Sequence, residues 1–130
     1  MINKQLSMNN KRQGDNVAYD KAYAFAIQIV SVYQVLTQKR KEYILSKQLL
    51  RSGTSIGANI SEANGGISKA DFSSKISIAY KETLETKYWL DLLKDTGYIE
   101  EKTYMPLFEN ADEIGRILSS ILKKTRINNN

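Results

Sequence analysis

The side chains that could carry chemistry in this chain are carboxylates, amines, hydroxyls and amides, because the sequence contains neither histidine nor cysteine. Histidine is the commonest general base and metal ligand, and a cysteine thiolate serves as both nucleophile and ligand. Glu62 and Glu85 could form a carboxylate pair for acid–base or metal chemistry, but di-iron helical proteins combine such glutamates with histidines. We therefore expect no enzymatic activity, no metal and no cofactor.

The densest polar pattern lies in residues 51–66, where small and polar residues alternate at helical spacing. Polar groups on a part-buried helix face need hydrogen-bond partners. The candidate partners are Arg51 together with Glu82 and Glu85 on the following helix. A structural hydrogen-bond layer is favoured here over a catalytic site. Its predicted members are Ser52, Ser55, Asn59, Glu62 and Glu85.

Positive charge is clustered near residues 39–51 and near the C-terminus, in a chain of net charge +5. Such clusters attract nucleic-acid phosphates, although ordinary solvated lysines at helix ends explain them equally well in a single copy of the chain. Assembly of several copies would favour nucleic-acid binding, because each patch is then repeated. The candidate contacts are Lys39, Arg40, Lys41, Lys47, Arg51, Lys123, Lys124 and Arg126.

Apolar residues at steps of three and four place these side chains on four amphipathic helices, predicted at about 17–38, 42–63, 69–96 and 101–124. Ser68 is a predicted N-cap, and Gly97 and residues 64–66 are predicted left-handed helix stops. Gly53 and Gly57 indicate close approach of a neighbouring helix or a local bend, because each lowers helix propensity. Short connections favour an all-α, antiparallel up-down-up-down four-helix bundle over residues 17–126. Residues 1–16 are predicted to form a flexible tail, and 127–130 a disordered end.

No apolar run is long enough to span a bilayer and the polar N-terminus lacks a signal-peptide pattern, so we expect a cytoplasmic protein without membrane contact. The first helix is apolar on much of its circumference, which is typical of a central helix or of a helix at a subunit interface. The residues that widen its apolar stripe beyond what one neighbour covers are Ile27, Val30, Val32 and Val35. Large aromatic residues also lie off the predicted core faces, which favours a subunit interface over base stacking. The candidate interface residues are Tyr23, Tyr80 and Trp89.

Residues 49–63, 68–72, 78–90 and 97–99 resemble a bacterial four-helix-bundle family. The most specific segment is the run Arg51-Ser52, Ser55-Ile56 and Asn59-Ile60-x-Glu62. The family includes proteins encoded in intervening sequences of 23S ribosomal RNA genes, and accessory proteins of diversity-generating retroelements are similar to it. The resemblance implies a homopentameric ring. For the retroelement relatives it also implies binding of nucleic acid and of a reverse transcriptase.

Two functional hypotheses follow. The first is a non-enzymatic oligomeric accessory protein that binds RNA or DNA with low specificity through the basic patches. The alternative is a protein-interaction scaffold with no nucleic-acid role, in which the basic ends serve only for solvation.

Overall fold

The computed structural model describes the backbone of residues 13–129 and the side chains of residues 16–125, and every regular element in that range is an α-helix. The helices are α1 (Gln13–Gln38), α2 (Leu45–Asn64), α3 (Lys69–Asp95) and α4 (Glu101–Asn129). The described residues are thus all-α with four helices, as predicted, and are compatible with a four-helix bundle.

The first and last helices, α1 and α4, are longer than the sequence pattern predicted. Helix α1 begins at Gln13 rather than at residue 17. Asn16, in this first turn, is buried at 7% exposure. Helix α4 continues to Asn129, into the segment predicted to be disordered, and Pro106 lies inside it. The rest of the predicted tail, residues 1–12, lies outside the described residues.

Consecutive helices pack against each other, and α4 also packs against α1. Within the described residues, α1 does not contact α3, so these two helices lie diagonally across the fold. The core between the helices is mainly apolar, with Ser46, Ser52, Thr83 and Thr86 also fully buried. Its largest fully buried apolar side chains are Phe25, Ile29, Leu36, Leu49, Ile56, Ile60, Ile76, Leu90, Leu93, Ile114 and Leu118.

The two glycines of α2 face α1, which confirms the predicted close approach. A Cβ atom added to Gly53 would lie 2.9 Å from Cγ1 and Cγ2 of Ile29, too close for an unmoved neighbour. At Gly57 the nearest atoms belong to Ala22 at 3.6 Å, an ordinary van der Waals distance. Gly53 is therefore the position at which a larger residue would force the two helices apart.

The ends of α3 follow the predicted chemistry. Ser68 Oγ accepts a hydrogen bond from the Asp71 N–H at 3.0 Å at the start of the helix. At its end, Gly97 has φ +84°, and the Tyr98 and Gly97 N–H groups donate to the carbonyls of Leu93 and Lys94. This pair of bonds is the Schellman arrangement that a left-handed glycine permits.

The predicted left-handed stop at residues 64–66 is wrong. Gly65 caps α2 with φ −93°, and Gly97 is the one glycine with positive φ among the described residues. Gly66 serves a different purpose, because a Cβ there would lie 2.9 Å from the Ala63 carbonyl oxygen and 3.0 Å from Asp71 Oδ2. The short α2–α3 connection therefore requires a small residue rather than a left-handed one.

Candidate nucleic-acid interface

Arg40 lies in the connection between α1 and α2, and its guanidinium is turned towards the α3–α4 connection. Its Nη1 donates hydrogen bonds to the carbonyl oxygens of Gly97 at 3.1 Å and Tyr98 at 2.8 Å. The guanidinium carbon also lies 5.1 Å from the centre of the Tyr98 ring, within cation–π range. Arg40 therefore joins two connections and satisfies carbonyls at the end of α3, so part of its donor capacity is already used.

Glu42 is the acid within the predicted basic patch, and it is buried at 8% exposure. Its carboxylate accepts hydrogen bonds from the N–H groups of Ile44 and Leu45 at 3.0 Å and of Ser46 at 2.7 Å. Burial opposes ionisation of Glu42, but these backbone donors outweigh it and lower the pKa of the carboxyl group. Glu42 thus caps the first turn of α2. Sequence reasoning placed it inside the helix and missed this role, although an acid just before a helix is a recognisable signal.

The lysines of this patch remain accessible. Lys39, Lys41 and Lys47 are exposed, and none of them takes part in an ion pair between described residues. The patch is nevertheless not purely basic. Because Arg40 holds the α3–α4 connection against this end, the exposed acids that flank Tyr98 lie nearby. These acids are Asp95, Glu100 and Glu101.

Arg51 of α2 is engaged by two carboxylates of α3. Its Nη1 lies 3.2 Å from Glu82 Oε2, and its Nη2 donates to Glu85 Oε2. The same Glu85 oxygen accepts a hydrogen bond from Trp89 Nε1 at 2.9 Å. The hydrogen bond from Trp89 lowers the pKa of Glu85. Burial opposes this shift, and the ion pair with Arg51 lowers the pKa further. The charge of Arg51 is therefore balanced within the molecule.

The predicted polar layer divides into separate contacts. Ser52 is fully buried and accepts a hydrogen bond from Thr86 Oγ1 at 3.0 Å across α2 and α3. Ser55 and Asn59 instead bond back to α2, to the carbonyls of Arg51 at 2.6 Å and Ser55 at 2.8 Å.

The two glutamates of that predicted layer lie in different ion pairs. Glu62 pairs with Lys75 at 2.9 Å, and Glu85 pairs with Arg51. The arrangement gives no shared carboxylate site. No group of three or more histidine, cysteine or acidic side chains that could hold a metal ion occurs within the described range.

The C-terminal candidates lie on α4. Lys123 and Lys124 are exposed and take no part in an ion pair between residues whose side chains are described. The side chain of Arg126 lies outside that part of the chain, so its place in the patch stays a prediction.

The candidate interface aromatics differ in exposure. Tyr23 is 57% exposed and stacks on Tyr19 with 6.0 Å between ring centres. Tyr80 and Trp89 are partly buried and pack against the core. Tyr88, which lies next to Trp89 on α3, is 58% exposed.

A surface groove lies between α1 and α4, lined by Lys21, Phe25, Gln28, Asn110 and Glu113 among others. Its polar groups already pair with each other. Lys21 Nζ lies 3.3 Å from Glu113 Oε1, and Asn110 Nδ2 donates to Gln28 Oε1 at 3.0 Å. The groove therefore presents no converging set of free polar groups for a small ligand.

In the part of the chain that the structure describes, four α-helices present exposed lysines, while Arg40 and Arg51 have partners within the chain. No helix within the described residues has the length and apolar character needed to cross a membrane. The chain belongs to the 23S rRNA-intervening sequence protein family, whose model matches residues 14–120. This confirms the resemblance seen in the sequence.

A solved structure supports the same assignment. The chain is similar to a protein of unknown function from the S23 ribosomal protein family of Bacteroides thetaiotaomicron VPI-5482, whose crystal structure was determined at 1.70 Å. The two share 50% sequence identity with a TM-score of 0.83, and the match covers 85% of this chain and 98% of that one. No curated protein matches the chain.

Proposed function

We propose that this protein is a non-enzymatic, cytoplasmic accessory protein that binds RNA or DNA with little sequence preference. The observation that carries the proposal is the set of exposed lysines without an acidic partner among the described residues: Lys39, Lys41, Lys47, Lys123 and Lys124. Phosphates would supply the negative charge that these lysines lack, and binding of the lysines to the phosphates would release counterions from the nucleic acid. The family description refers to intervening sequences of 23S rRNA, which is compatible with an RNA ligand.

The residue types support low specificity. Lysine offers a point charge to a phosphate, whereas base-edge recognition commonly uses the planar fork of arginine. Both arginines of the larger patch, Arg40 and Arg51, already have partners within the chain. Contacts made by lysines alone position a nucleic acid without reading its sequence.

We also propose an antiparallel up-down-up-down arrangement of the helices. Gly53 and Gly57 of α2 face Ile29 and Ala22 of α1, so the numbers rise on one helix and fall on the other. The ion pairs between α2 and α3 have the same opposite order, since Arg51 meets Glu85 and Glu62 meets Lys75. Reversal at each short connection supports the proposed topology.

The assembly that we propose is a homo-oligomeric ring. Exposed apolar side chains on α1, including Tyr23 and Ile27, support a contact between copies. The number five rests on the family resemblance alone. A ring would present each lysine patch several times, so that weak contacts to one long nucleic acid add up to useful affinity.

The test is binding of a structured RNA and of a DNA duplex by the full chain, measured by fluorescence anisotropy over a series of salt concentrations. We expect log affinity to fall with log salt with a slope of about −0.7 to −0.9 for each phosphate contacted. The double variant Lys39→Gln/Lys41→Gln should weaken binding and reduce the magnitude of that slope.

A matched control removes two positive charges that already have acidic partners. In Lys102→Gln/Arg116→Gln the lost cations are those paired with Glu100 at 3.3 Å and Asp112 at 3.7 Å. This control should bind nearly as the wild type does. Absence of binding at low salt, a slope near zero, or equal losses in the two double variants would contradict the proposal.

One observation favours the alternative, a protein-interaction scaffold. The acidic residues that flank Tyr98 reduce the net positive charge near Lys39 and Lys41. A surface of mixed charge is expected where the charged side chains serve only to keep the protein in solution. In that case Lys39→Glu/Lys41→Glu would leave function unchanged. A defined protein, such as a reverse transcriptase, would then be recovered with the chain after nuclease treatment.

A further inference from the structure

The connection between α1 and α2 carries two exposed apolar side chains that the lysine contacts proposed above do not use. Tyr43 is 58% exposed and Ile44 is 75% exposed. Neither side chain packs against the apolar core, and the Tyr43 ring makes no contact with another aromatic ring among the described residues. Both side chains are therefore available to a partner, whose contact would remove their apolar surface from water.

Anchored and exposed side chains alternate along this connection. Arg40 is held by its hydrogen bonds to the α3–α4 connection, and Glu42 is buried beneath the first turn of α2. The residues that follow them in the sequence, Lys41 and Tyr43, are both exposed. The inward contacts of Arg40 and Glu42 therefore fix the outward positions of their neighbours.

The backbone of the connection is also held in place. The Glu42 N–H donates to the Leu36 carbonyl at 2.9 Å, and the Ile44 N–H donates to the Glu42 carboxylate at 3.0 Å. Between these bonds, Lys41 has φ +55°, in the left-handed region that lysine seldom adopts. A backbone that is already ordered loses less conformational entropy when a partner binds to its side chains.

The exposed apolar side chains lie among free cations. Lys39 and Lys41 belong to the same connection as Tyr43. Ile44 has helical dihedral angles, φ −101° and ψ −58°, so Lys47, three residues on, lies beside it on the first turn of α2. The three lysines are exposed and have no ion pair between described residues. A partner that fits this surface offers both a flat apolar group and negative charge.

A single-stranded nucleic acid meets both requirements. The face of an unpaired base stacks on an aromatic side chain, and the phosphates on either side of that base attract lysines. In a duplex the bases stack on one another and present only their edges in the grooves, so that no base face is free for Tyr43.

An anionic membrane also combines apolar groups with negative charge, but it fits this end of the fold less well. Asp95, Glu100 and Glu101 are exposed here, because Arg40 holds the α3–α4 connection against the α1–α2 connection. A broad anionic surface would meet these acids as well as the lysines, and like charges repel. A narrow single strand can follow the lysines without lying against the acids.

We propose that Tyr43 stacks on an unpaired base of a single-stranded segment of RNA or DNA. Lys39, Lys41 and Lys47 contact the phosphates on either side of this base, and Ile44 adds apolar contact beside the tyrosine ring. The inference rests on the nucleic-acid binding proposed above and narrows its ligand to unpaired segments. Stacking tolerates every base, because each has a π-face, so the site adds affinity without sequence preference.

The experiment compares Tyr43→Ala with the wild type, both as the full chain, by fluorescence anisotropy at one low salt concentration. The probes are an unstructured single strand of mixed sequence, its duplex, and a strand of equal length with abasic sugars in place of nucleosides, each prepared as RNA and as DNA. We expect Tyr43→Ala to weaken binding of the single strand by about fivefold or more. Binding of the duplex and of the abasic strand should not change, because neither offers a base face. The RNA and DNA arms show which strand supplies the stacked base, and a loss on either one supports the proposal.

Three controls separate stacking from charge and from folding. Tyr43→Phe keeps the aromatic ring and should bind the single strand as the wild type does. Ile67→Ala removes another exposed apolar side chain, 98% exposed in the α2–α3 connection beyond the other end of α2, and should leave binding unchanged. Tyr43→Ala should keep the salt dependence of the wild type, since it removes no cation, whereas Lys39→Gln/Lys41→Gln should reduce it. Circular dichroism and the unfolding temperature should be the same in all of these variants of exposed residues.

The outcomes separate this inference from the proposed function. If the wild type binds nucleic acid and Tyr43→Ala binds the single strand equally well, stacking at Tyr43 is overturned and the proposed function stands. An equal loss on the abasic strand or the duplex overturns it in the same way. If the wild type binds none of the probes, both proposals fail. Binding of the wild type to vesicles of phosphatidylserine and phosphatidylcholine, lost in Tyr43→Ala and without binding of single strands, would assign the surface to a membrane and overturn the inference.

Discussion

Thr86 Oγ1 lies 3.0 Å from Ser52 Oγ, and both side chains are fully buried where α2 meets α3. Thr86 Oγ1 also lies 2.7 Å from the Glu82 carbonyl oxygen, and Ser52 Oγ lies 3.4 Å from that of Leu49. The two hydroxyls therefore satisfy each other between helices whose neighbouring side chains are apolar. Such a pair adds little net stability, but loss of one member removes the hydrogen bond that the other makes across the two helices.

We expect Thr86→Val to lower the free energy of unfolding by about 1–3 kcal/mol, because it keeps the shape and removes the donor to Ser52. Urea unfolding followed by circular dichroism measures the change. In the double variant Ser52→Ala/Thr86→Val the loss should be smaller than the sum of the single losses. Additive losses would mean that the two hydroxyls do not interact.

We expect Gly53→Ala to destabilise the protein by about 1–3 kcal/mol, since the new methyl group would overlap the stiff, buried Ile29 side chain. Gly57→Ala is the matched control on the same helix. Its methyl group fits at an ordinary distance from Ala22, so improved helix propensity should leave stability unchanged or raise it by up to about 1 kcal/mol. Equal effects of the two substitutions in urea unfolding would argue against the close approach at Gly53.

We expect Glu42→Gln to cost about 1–2 kcal/mol at neutral pH, because a neutral amide replaces the carboxylate that accepts three backbone N–H groups. The pKa of Glu42 is lower in the folded protein than its ordinary value of 4.5. Its contribution is therefore fully present above pH 4.5 and is lost as the pH falls through the folded-state pKa. The stability difference between wild type and variant should shrink over that acidic range, as measured by unfolding at a series of pH values. A constant difference would exclude ionised Glu42 as the cap.

We expect Arg40→Ala to lower the free energy of unfolding by about 1–2 kcal/mol, because the carbonyls of Gly97 and Tyr98 lose a charged donor and the Tyr98 ring loses its cation. Lys39→Ala, next to it in sequence, should change stability by less than about 0.5 kcal/mol. Thermal unfolding compares the two. Nucleic-acid binding should respond in the opposite order, with the larger loss at Lys39.

Local chemistry made several features predictable. The Ser68 cap, the Gly97 stop and the small residues facing α1 each follow from what one residue type does to a helix. The four helices follow from long runs of apolar periodicity. The core-facing side of α1 was harder to predict, because that helix is apolar on several sides. The buried residues there are Ala18, Ala22, Phe25, Ile29 and Leu36.

The contacts of the candidate site residues were less predictable, because their partners lie far away in the chain. The sequence predicted both Arg40 and Arg51 to contact phosphates. In the fold, Arg40 meets Tyr98 and Arg51 meets Glu82 and Glu85, all on or after α3. The lysines kept their exposed positions.

The sequence by itself determined the four helices of residues 13–129, the start and end of α3, and the family of the chain, because these follow from local propensity, periodicity and a specific motif. Only the tertiary structure decided which charges remain free and which apolar residues remain exposed. Glu42 is a buried helix cap and the charge of Arg51 is paired with a carboxylate, while Tyr23 and Tyr88 are exposed to solvent. Ion pairing and burial depend on the distances between helices, and no spacing along one helix contains that information.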